Sequence, residues 1–287
     1  MAMLRNVGTT LEMIKWEHSV FALPFALTGA MLAARGIPTL WQLGWIVVAM
    51  VAARSAAMAF NRLADAGYDA ENPRTCGRAL PAGRLTRPFV AGFVVVSAAI
   101  FVAAAAQLNR LCLVLSPVAL AVLLLYSYAK RFTRWSHIWL GFADAIPPAG
   151  AWIAVRGTLD TRILLLVAAV TFWVGGFDML YACQDYENDR RTGLHSIPRF
   201  YGIRRALLLA RLAHVVTVAA LAGTVIVFGM GTIAWVGAAV FAALIVYEHS
   251  LVKPGDLSRL NAAFFTTNGV VSVLLFLFMA ADILRRR

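Results

Sequence analysis

Nine apolar stretches, each within a few residues of the roughly 20 that a helix needs to cross the hydrocarbon core, dictate what this chain can become. They cover roughly residues 18–35, 42–60, 88–107, 111–128, 135–155, 163–184, 206–228, 231–248 and 261–283. With 61% of its residues hydrophobic and 14% charged, the chain has the balance of a membrane protein. The expected fold is all-α: a polytopic bundle of nine transmembrane helices, one domain over residues 1–287. The formal charge of +12 does not indicate a nucleic-acid partner. Lys and Arg fall in short clusters between the apolar runs and build no continuous basic face.

Residues 1–20 read as a short amphipathic helix, because Leu4, Val7, Leu11 and Ile14 recur at helical spacing. The stretch lacks the apolar core and cleavage site of a signal peptide, so the first span is expected to stay in the protein. Cys76, Cys112 and Cys183 are isolated, without CxxC spacing or a histidine cluster, and indicate neither a disulfide framework nor a zinc site. When loops alternate across the bilayer, most basic residues fall on one side: Arg5 and Lys15; Arg62, Arg74, Arg78, Arg84 and Arg87; Lys130, Arg131 and Arg134; Arg190, Arg191, Arg199, Arg204 and Arg205; Lys253 and Arg259. By the positive-inside rule that side is cytoplasmic, as expected for a multi-pass protein of a bacterial inner membrane with its N-terminus inside and its C-terminus outside. The terminal Arg285, Arg286 and Arg287 dissent. The two long loops, 61–87 and 185–205, share the basic side, and function is expected there.

The second span ends in AFNRLADAGYDAENPRT, placing Asn61, Asp65 and Asp69 at i, i+4 and i+8 on one helical face. The sixth ends in FDMLYACQDYENDRRTG, which gives Tyr181, Asp185 and Asp189 the same spacing. The offset is 120 residues at all three positions, so the chain reads as two related halves of about four helices each. Carboxylates this close repel and need compensation from solvent, basic neighbours or a divalent cation. Alone, either DxxxD reads as an ordinary solvated helix end; two at equal offset, each closing a span on the same side, make an oxygen-rich site. Mg²⁺ suits such a site, since it takes a few carboxylates and completes its shell with water and phosphate oxygens. Asp65, Asp69, Asp185 and Asp189 are therefore the expected metal ligands, acting through a diphosphate, with Arg74, Arg78, Lys130 and Arg131 available to neutralise remaining charge. Asp178 lies two turns deeper than Asp185, and Asp144 lies inside the fifth span. At such depth an ionisable group is either functional or a neutral, hydrogen-bonded packing residue.

The strings EHSVFALPFALTGA, NRLADAGYD, NPRTCGRALPAGRL, YSYAKRFTRWSH and DMLYACQDYENDRRTGLHSIPRFYG resemble the UbiA superfamily of membrane prenyltransferases, above all its 4-hydroxybenzoate polyprenyltransferase branch. The resemblance runs along nearly the whole chain. It implies a nine-helix bundle around a cavity open sideways to lipid, with Asn61, Asp65 and Asp69 at a first Mg²⁺ and diphosphate site and Asp185 and Asp189 at a second. It also implies diphosphate contacts from Arg74 and Lys130, a role for Arg131 at an acceptor carboxylate, and places for Tyr181 and Asp178 on the inner wall. The partners implied are a polyprenyl diphosphate, an aromatic acceptor and membrane lipid. Two departures stand out. Glu187 adds a carboxylate inside DYEND, expected to point into solvent. HSIP also occurs in relatives that act in menaquinone formation.

The reaction expected is Mg²⁺-assisted alkylation of an electron-rich ring, with 4-hydroxybenzoate as first acceptor and a futalosine-type menaquinone precursor as second. Walls rich in small residues, such as AAIFVAAAA and VGGF, either leave a channel for the isoprenoid tail or simply pack helices closely. A secondary transporter also shows repeats and membrane carboxylates, but its sites sit near the midplane on broken helices, whereas these acids sit at span ends.

Overall fold

The computed structural model describes residues 2–15, 19–257, 259–260 and 268–286. These form α1 (Ala2–Ile14), α2 (Ser19–Ala34), α3 (Leu40–Glu71), α4 (Arg87–Leu108), α5 (Arg110–Ala129), α6 (Ser136–Asp144), α7 (Ile146–Arg156), α8 (Leu164–Ala182), α9 (Tyr186–Thr192), α10 (Ile197–Tyr201), α11 (Ile203–Val227), α12 (Thr232–Ser250) and α13 (Asn268–Arg285). Among the described residues eight segments are long and apolar enough to cross a membrane: α3, α4, α5, the α6–α7 pair, the stretch Thr161–Thr192, α11, α12 and α13. The first of the nine expected spans is the exception. Its helix, α2, has 16 residues, about 24 Å at 1.5 Å per residue, and packs on α7 and α13. The start of that span at residue 18, and the start of the last at 261–267, lie outside the described residues.

Local chemistry sets the ends. Thr39 and Gln42 form a reciprocal capping box that starts α3, and Thr86 and Asn109 cap α4 and α5 through their side chains. Gly157 and Gly193 take left-handed conformations that stop α7 and α9. The two aspartate-bearing segments, Leu40–Glu71 and Thr161–Thr192, are 32 residues each, and α3 packs chiefly on α4 as α8 does on α11. The fifth span is broken between Asp144 and Ile146, where Pro147 and Pro148 open α7.

The core centres on Trp173, whose ring lies 5.1 Å from Phe25, 5.2 Å from Phe177 and 6.1 Å from Phe241. Close crossings need glycine: a Cβ at Gly29 would collide with the Pro148 carbonyl, and one at Gly141 with that of Thr171. Outward-facing Val95, Val118 and Val246 are more than half exposed, as lipid-facing residues are. The AAIFVAAAA run contributes nothing to the central cavity described below. In VGGF, Val174 and Phe177 line that cavity, while Gly175 and Gly176 give close approach to α6 and α11.

Candidate active site

A cavity of about 590 Å³ opens at the end of the bundle where α3 and α8 terminate. Asn61, Asp65 and Asp69 reach it from α3, and Asp178, Tyr181, Asp185 and Asp189 from α8 and its continuation. The first motif rides an unbroken helix. The second does not: Cys183–Asp185 tighten into a 3₁₀ turn before α9 begins, so the i, i+4, i+8 face is interrupted, yet Asp185 and Asp189 still line the cavity.

Two of the four motif aspartates, Asp69 and Asp185, pair with arginines of the loop after α3. Arg78 Nη1 donates to both oxygens of Asp69, at 2.7 and 2.8 Å. Arg74 crosses to the other half, where Nε donates to Asp185 Oδ1 at 2.9 Å and Nη2 to Oδ2 at 2.5 Å. Burial works against the Arg74 guanidinium, but these bonds more than offset it and raise its pKa above the ordinary arginine value. Asn72 holds the arrangement together, accepting from the Arg74 amide at 2.9 Å and donating to Asp185 Oδ1 at 3.1 Å. Asp65 accepts from Asn61 Nδ2 at 2.9 Å. Lys130, at the end of α5, also lines the cavity. Burial works against its ammonium, but the Tyr126 hydroxyl and the carboxylates of Asp178, Asp189 and Asp65 hold it charged, above the ordinary lysine range. Its carbonyl accepts from the His195 amide at 2.7 Å, so the HSIP string ties this loop down, and Ser196 caps α10.

Arg131 is not among the cavity-lining residues but stays beside the first motif: Nη2 donates to the Ala64 carbonyl at 2.6 Å and lies 3.9 Å from Asp65 Oδ1, and the guanidinium lies over the rings of Tyr128 and Tyr68 at 4.6 and 5.5 Å. The arginine that does face the deep end is Arg54. It lies seven residues before Asn61, two turns back on the same face and about 10 Å deeper. Arg54 Nη1 pairs with Asp144 Oδ1 at 3.1 Å, at the break in the fifth span, and its buried Nε has no hydrogen-bond partner among the described residues. Asp178 is oriented by His137, whose Nδ1 lies 2.6 Å from Oδ2. Because the Ile197 amide donates to Nε2 at 3.3 Å, the imidazole carries its proton on Nδ1 and donates it to Asp178. Glu187 is largely exposed and lies 3.9 Å from Arg190, outside the cavity as expected.

Spacing alone missed Arg54, Asn72, Tyr126 and His137. Arg54 was legible as a charge inside a span in register with Asn61, and Asn72 as the Asn-Pro that breaks α3. Nothing local marked Tyr126 or His137. α1 covers the mouth, with Glu12 lining it and held by Arg84 Nη1 at 2.9 Å.

The residues fit a divalent cation. Carboxylates from both halves meet on one cavity, yet no group of three or more His, Cys, Asp or Glu among the described residues encloses an ion on its own. That is the donor set of a hard cation that completes its shell with substrate oxygens.

The comparisons agree with this geometry. A profile of the UbiA prenyltransferase family matches residues 22–278. Relatives named 4-hydroxybenzoate octaprenyltransferase include that of Cupriavidus necator, 31% identical over 240 residues (83% of this chain, 84% of the relative), and that of Aeromonas salmonicida, 30% identical over 237 residues (83% and 82%). The apo UbiA homolog from Aeropyrum pernix superposes with a TM-score of 0.85 at 35% identity, covering 93% of this chain and 98% of that one. The UbiA homolog from Archaeoglobus fulgidus bound to GPP and Mg²⁺ shares the fold, with a TM-score of 0.76 at 20% identity over 96% of this chain and 99% of that one.

Proposed function

As a member of the UbiA prenyltransferase family, this chain is a multi-pass membrane aromatic prenyltransferase, and we propose that it transfers a polyprenyl chain from polyprenyl diphosphate to 4-hydroxybenzoate with Mg²⁺ as its metal. One observation carries the reading: both aspartate motifs and Arg54 line a single cavity at different depths, so that a diphosphate at the mouth and a small carboxylate deeper in face each other. The names of the curated relatives support the acceptor, and the GPP and Mg²⁺ bound by the Archaeoglobus fulgidus homolog support the donor and metal.

At the mouth Asp65, Asp69, Asp185 and Asp189, with Asn61, would hold the metal and through it the diphosphate, and Arg74, Arg78 and Lys130 would bind the diphosphate oxygens. Mg²⁺, when bound, supplies Lewis-acid neutralisation of the leaving diphosphate. Arg54 takes the acceptor carboxylate in the place now held by Asp144, its free Nε adding a second donor. We assign this role to Arg54 and not to Arg131, which does not line the cavity and lies beside Asp65 at 3.9 Å. Tyr181 and Asp178 flank the space between. The C–O bond to the first carbon of the isoprenoid breaks with its electron pair on the diphosphate, and the ring carbon ortho to the hydroxyl forms the new C–C bond. That carbon then loses its proton, to Asp185 or to the released diphosphate. Phe25, Val170, Trp173 and Phe177 wall the cavity with apolar surface and keep water from the allylic cation.

Membership in the family ends the transporter reading, although the fifth span is broken; here the break sets Asp144 against Arg54. No observation favours a menaquinone precursor, since His195 and Ser196 brace loops and neither lines the cavity. The orientation that fits is a cytoplasmic active site in a bacterial inner membrane. The test is purified protein in nanodiscs with labelled polyprenyl diphosphate and a panel of acceptors, with and without Mg²⁺. Prenylated 4-hydroxybenzoate is expected only with the metal; product with another acceptor alone overturns the acceptor, and metal-independent product overturns the mechanism.

A further inference from the structure

A second cavity, of about 290 Å³, lies at the end of the bundle away from the aspartates, where α2, α7, α11 and α13 terminate. Its rim carries Arg35, Arg156, Arg162 and Arg286, and Trp152 forms part of its wall. Basic residues are scarce on this face: among the described residues, besides these four, Arg110 and Arg285 fall there. That most of this face's positive charge converges on one opening calls for a counter-charge.

The carboxylates nearby have fixed partners. Asp160 is held by its neighbour Arg162, at 2.6 Å between Oδ2 and Nη2. Asp282, almost fully buried, accepts from the amides of Gly231 at 2.8 Å and Ala234 at 3.3 Å, capping α12. Arg286 donates to the Gly229 carbonyl. Arg35 and Arg156 form no ion pair among the described residues, and Arg35 sits with φ at 51°, left-handed backbone that the adjacent Gly36 would adopt more easily. An independent sign of a ligand comes from the wall. Trp152 is 4% exposed, and its indole Nε1 is buried without a hydrogen-bond partner among the described residues. An indole N–H can only donate, so it needs an acceptor. Around it Phe228, Leu32 and Ile283 supply apolar surface, with the rings of Trp152 and Phe228 at 5.5 Å.

We infer that this pocket binds a phosphate-bearing anion, either the phosphodiester headgroup of an anionic lipid in the leaflet remote from the active site or free phosphate. Arg35 and Arg156 are its charge donors, and the Trp152 indole donates to one of its oxygens. The site clamps the ends of helices from both halves of the chain and is independent of the proposed acceptor.

The test uses the full chain in nanodiscs of phosphatidylcholine with a minor share of phosphatidylglycerol. Lipid retained on release is read by native mass spectrometry, and thermal melting is followed with inorganic phosphate in a phosphatidylcholine-only disc. Retention of one phosphatidylglycerol, cut about tenfold or more by Arg35→Gln with Arg156→Gln but not by Arg110→Gln on the same face, establishes the lipid source. A melting rise with phosphate in the wild type, absent from the same double variant, establishes the free anion. If neither signal differs between wild type and double variant, or if Arg110→Gln loses binding equally, the site is refuted. Trp152→Phe, which keeps the ring and removes the donor, should weaken the same signal; full retention by Trp152→Phe together with full retention by the double variant also refutes it.

Discussion

Replacing Asp185 by asparagine tests the two-motif site most directly, because size is kept while a negative charge is lost. From spacing alone the stability effect should be neutral or favourable, since like carboxylates four residues apart repel by a few tenths of a kcal/mol. The structure reverses that sign. Asp185 accepts from Arg74 at 2.9 and 2.5 Å and from Asn72 at 3.1 Å, and an asparagine cannot accept the guanidinium fork on two oxygens. With the Arg74 side chain about a third exposed, solvent screening cuts the loss to about 1 kcal/mol, still larger than the repulsion relieved. Catalysis should suffer more, by on the order of 10² in rate or beyond, because charge stabilisation at a departing diphosphate is worth several kcal/mol. Asp65→Asn should behave alike, and the double variant should be scarcely slower than either single, as expected of groups that act as one unit. The assay is product formation by purified variants over a Mg²⁺ titration, with thermal melting as the control for folding. Near-normal turnover by Asp185→Asn at every Mg²⁺ concentration would reduce the second motif to a solvated helix end and remove the two-site mechanism.

At the deep end, Arg54→Gln should raise the acceptor KM by about tenfold or more and leave the prenyl-diphosphate KM in place, while Arg131→Gln should spare the acceptor; the opposite pattern would return the carboxylate to Arg131. A reporter inserted in the loop between α3 and α4 should read cytoplasmic and one fused after Arg287 exterior, and a cytoplasmic C-terminus would contradict nine passes. The Glu12 carboxyl is held below its ordinary pKa by its hydrogen bond from Arg84, so the tie between α1 and the loop is present above about pH 4.3 and lost as pH falls through the lower folded value. Hydrogen exchange of α1 should accelerate only below about pH 4, and unchanged protection at pH 3 would show that the pair does not hold α1 down.

The helices and the aspartate motifs were legible because both are local. An apolar run declares a span by length, and a period of four declares a face. α2 was legible only in part, since its short helix relies on packing against α7 and α13 for what length does not supply. The partners were hidden for a different reason. Arg74 and Asp185 lie 111 residues apart, His137 and Asp178 lie 41, and Arg54 and Asp144 lie 90, and no spacing rule connects positions that only the fold brings together. The role of Arg131 came from the resemblance and not from spacing; at the end of α5 the chain turns and the two neighbouring side chains part, Lys130 to the cavity and Arg131 onto Tyr128, 3.9 Å from Asp65.

The pairing of each arginine with an aspartate also explains how the mouth can hold so much charge without substrate. Arg78 pairs with Asp69 of its own half and Arg74 with Asp185 of the other, so the loop after α3 joins the halves through groups that bind the diphosphate on the proposed function. A diphosphate arriving with its divalent cation carries little net charge as a unit. On the proposed function Arg74 and Arg78 would pass from carboxylate to phosphate oxygens, and the carboxylates they leave would be available to the cation. The exchange demands that Arg74 and Arg78 move while their anchors stay. Asn72 fixes the Arg74 backbone and Thr75 Oγ1 donates to the Asp69 carbonyl at 3.1 Å, so the loop is anchored at its backbone independently of the ion pairs its guanidinium tips make.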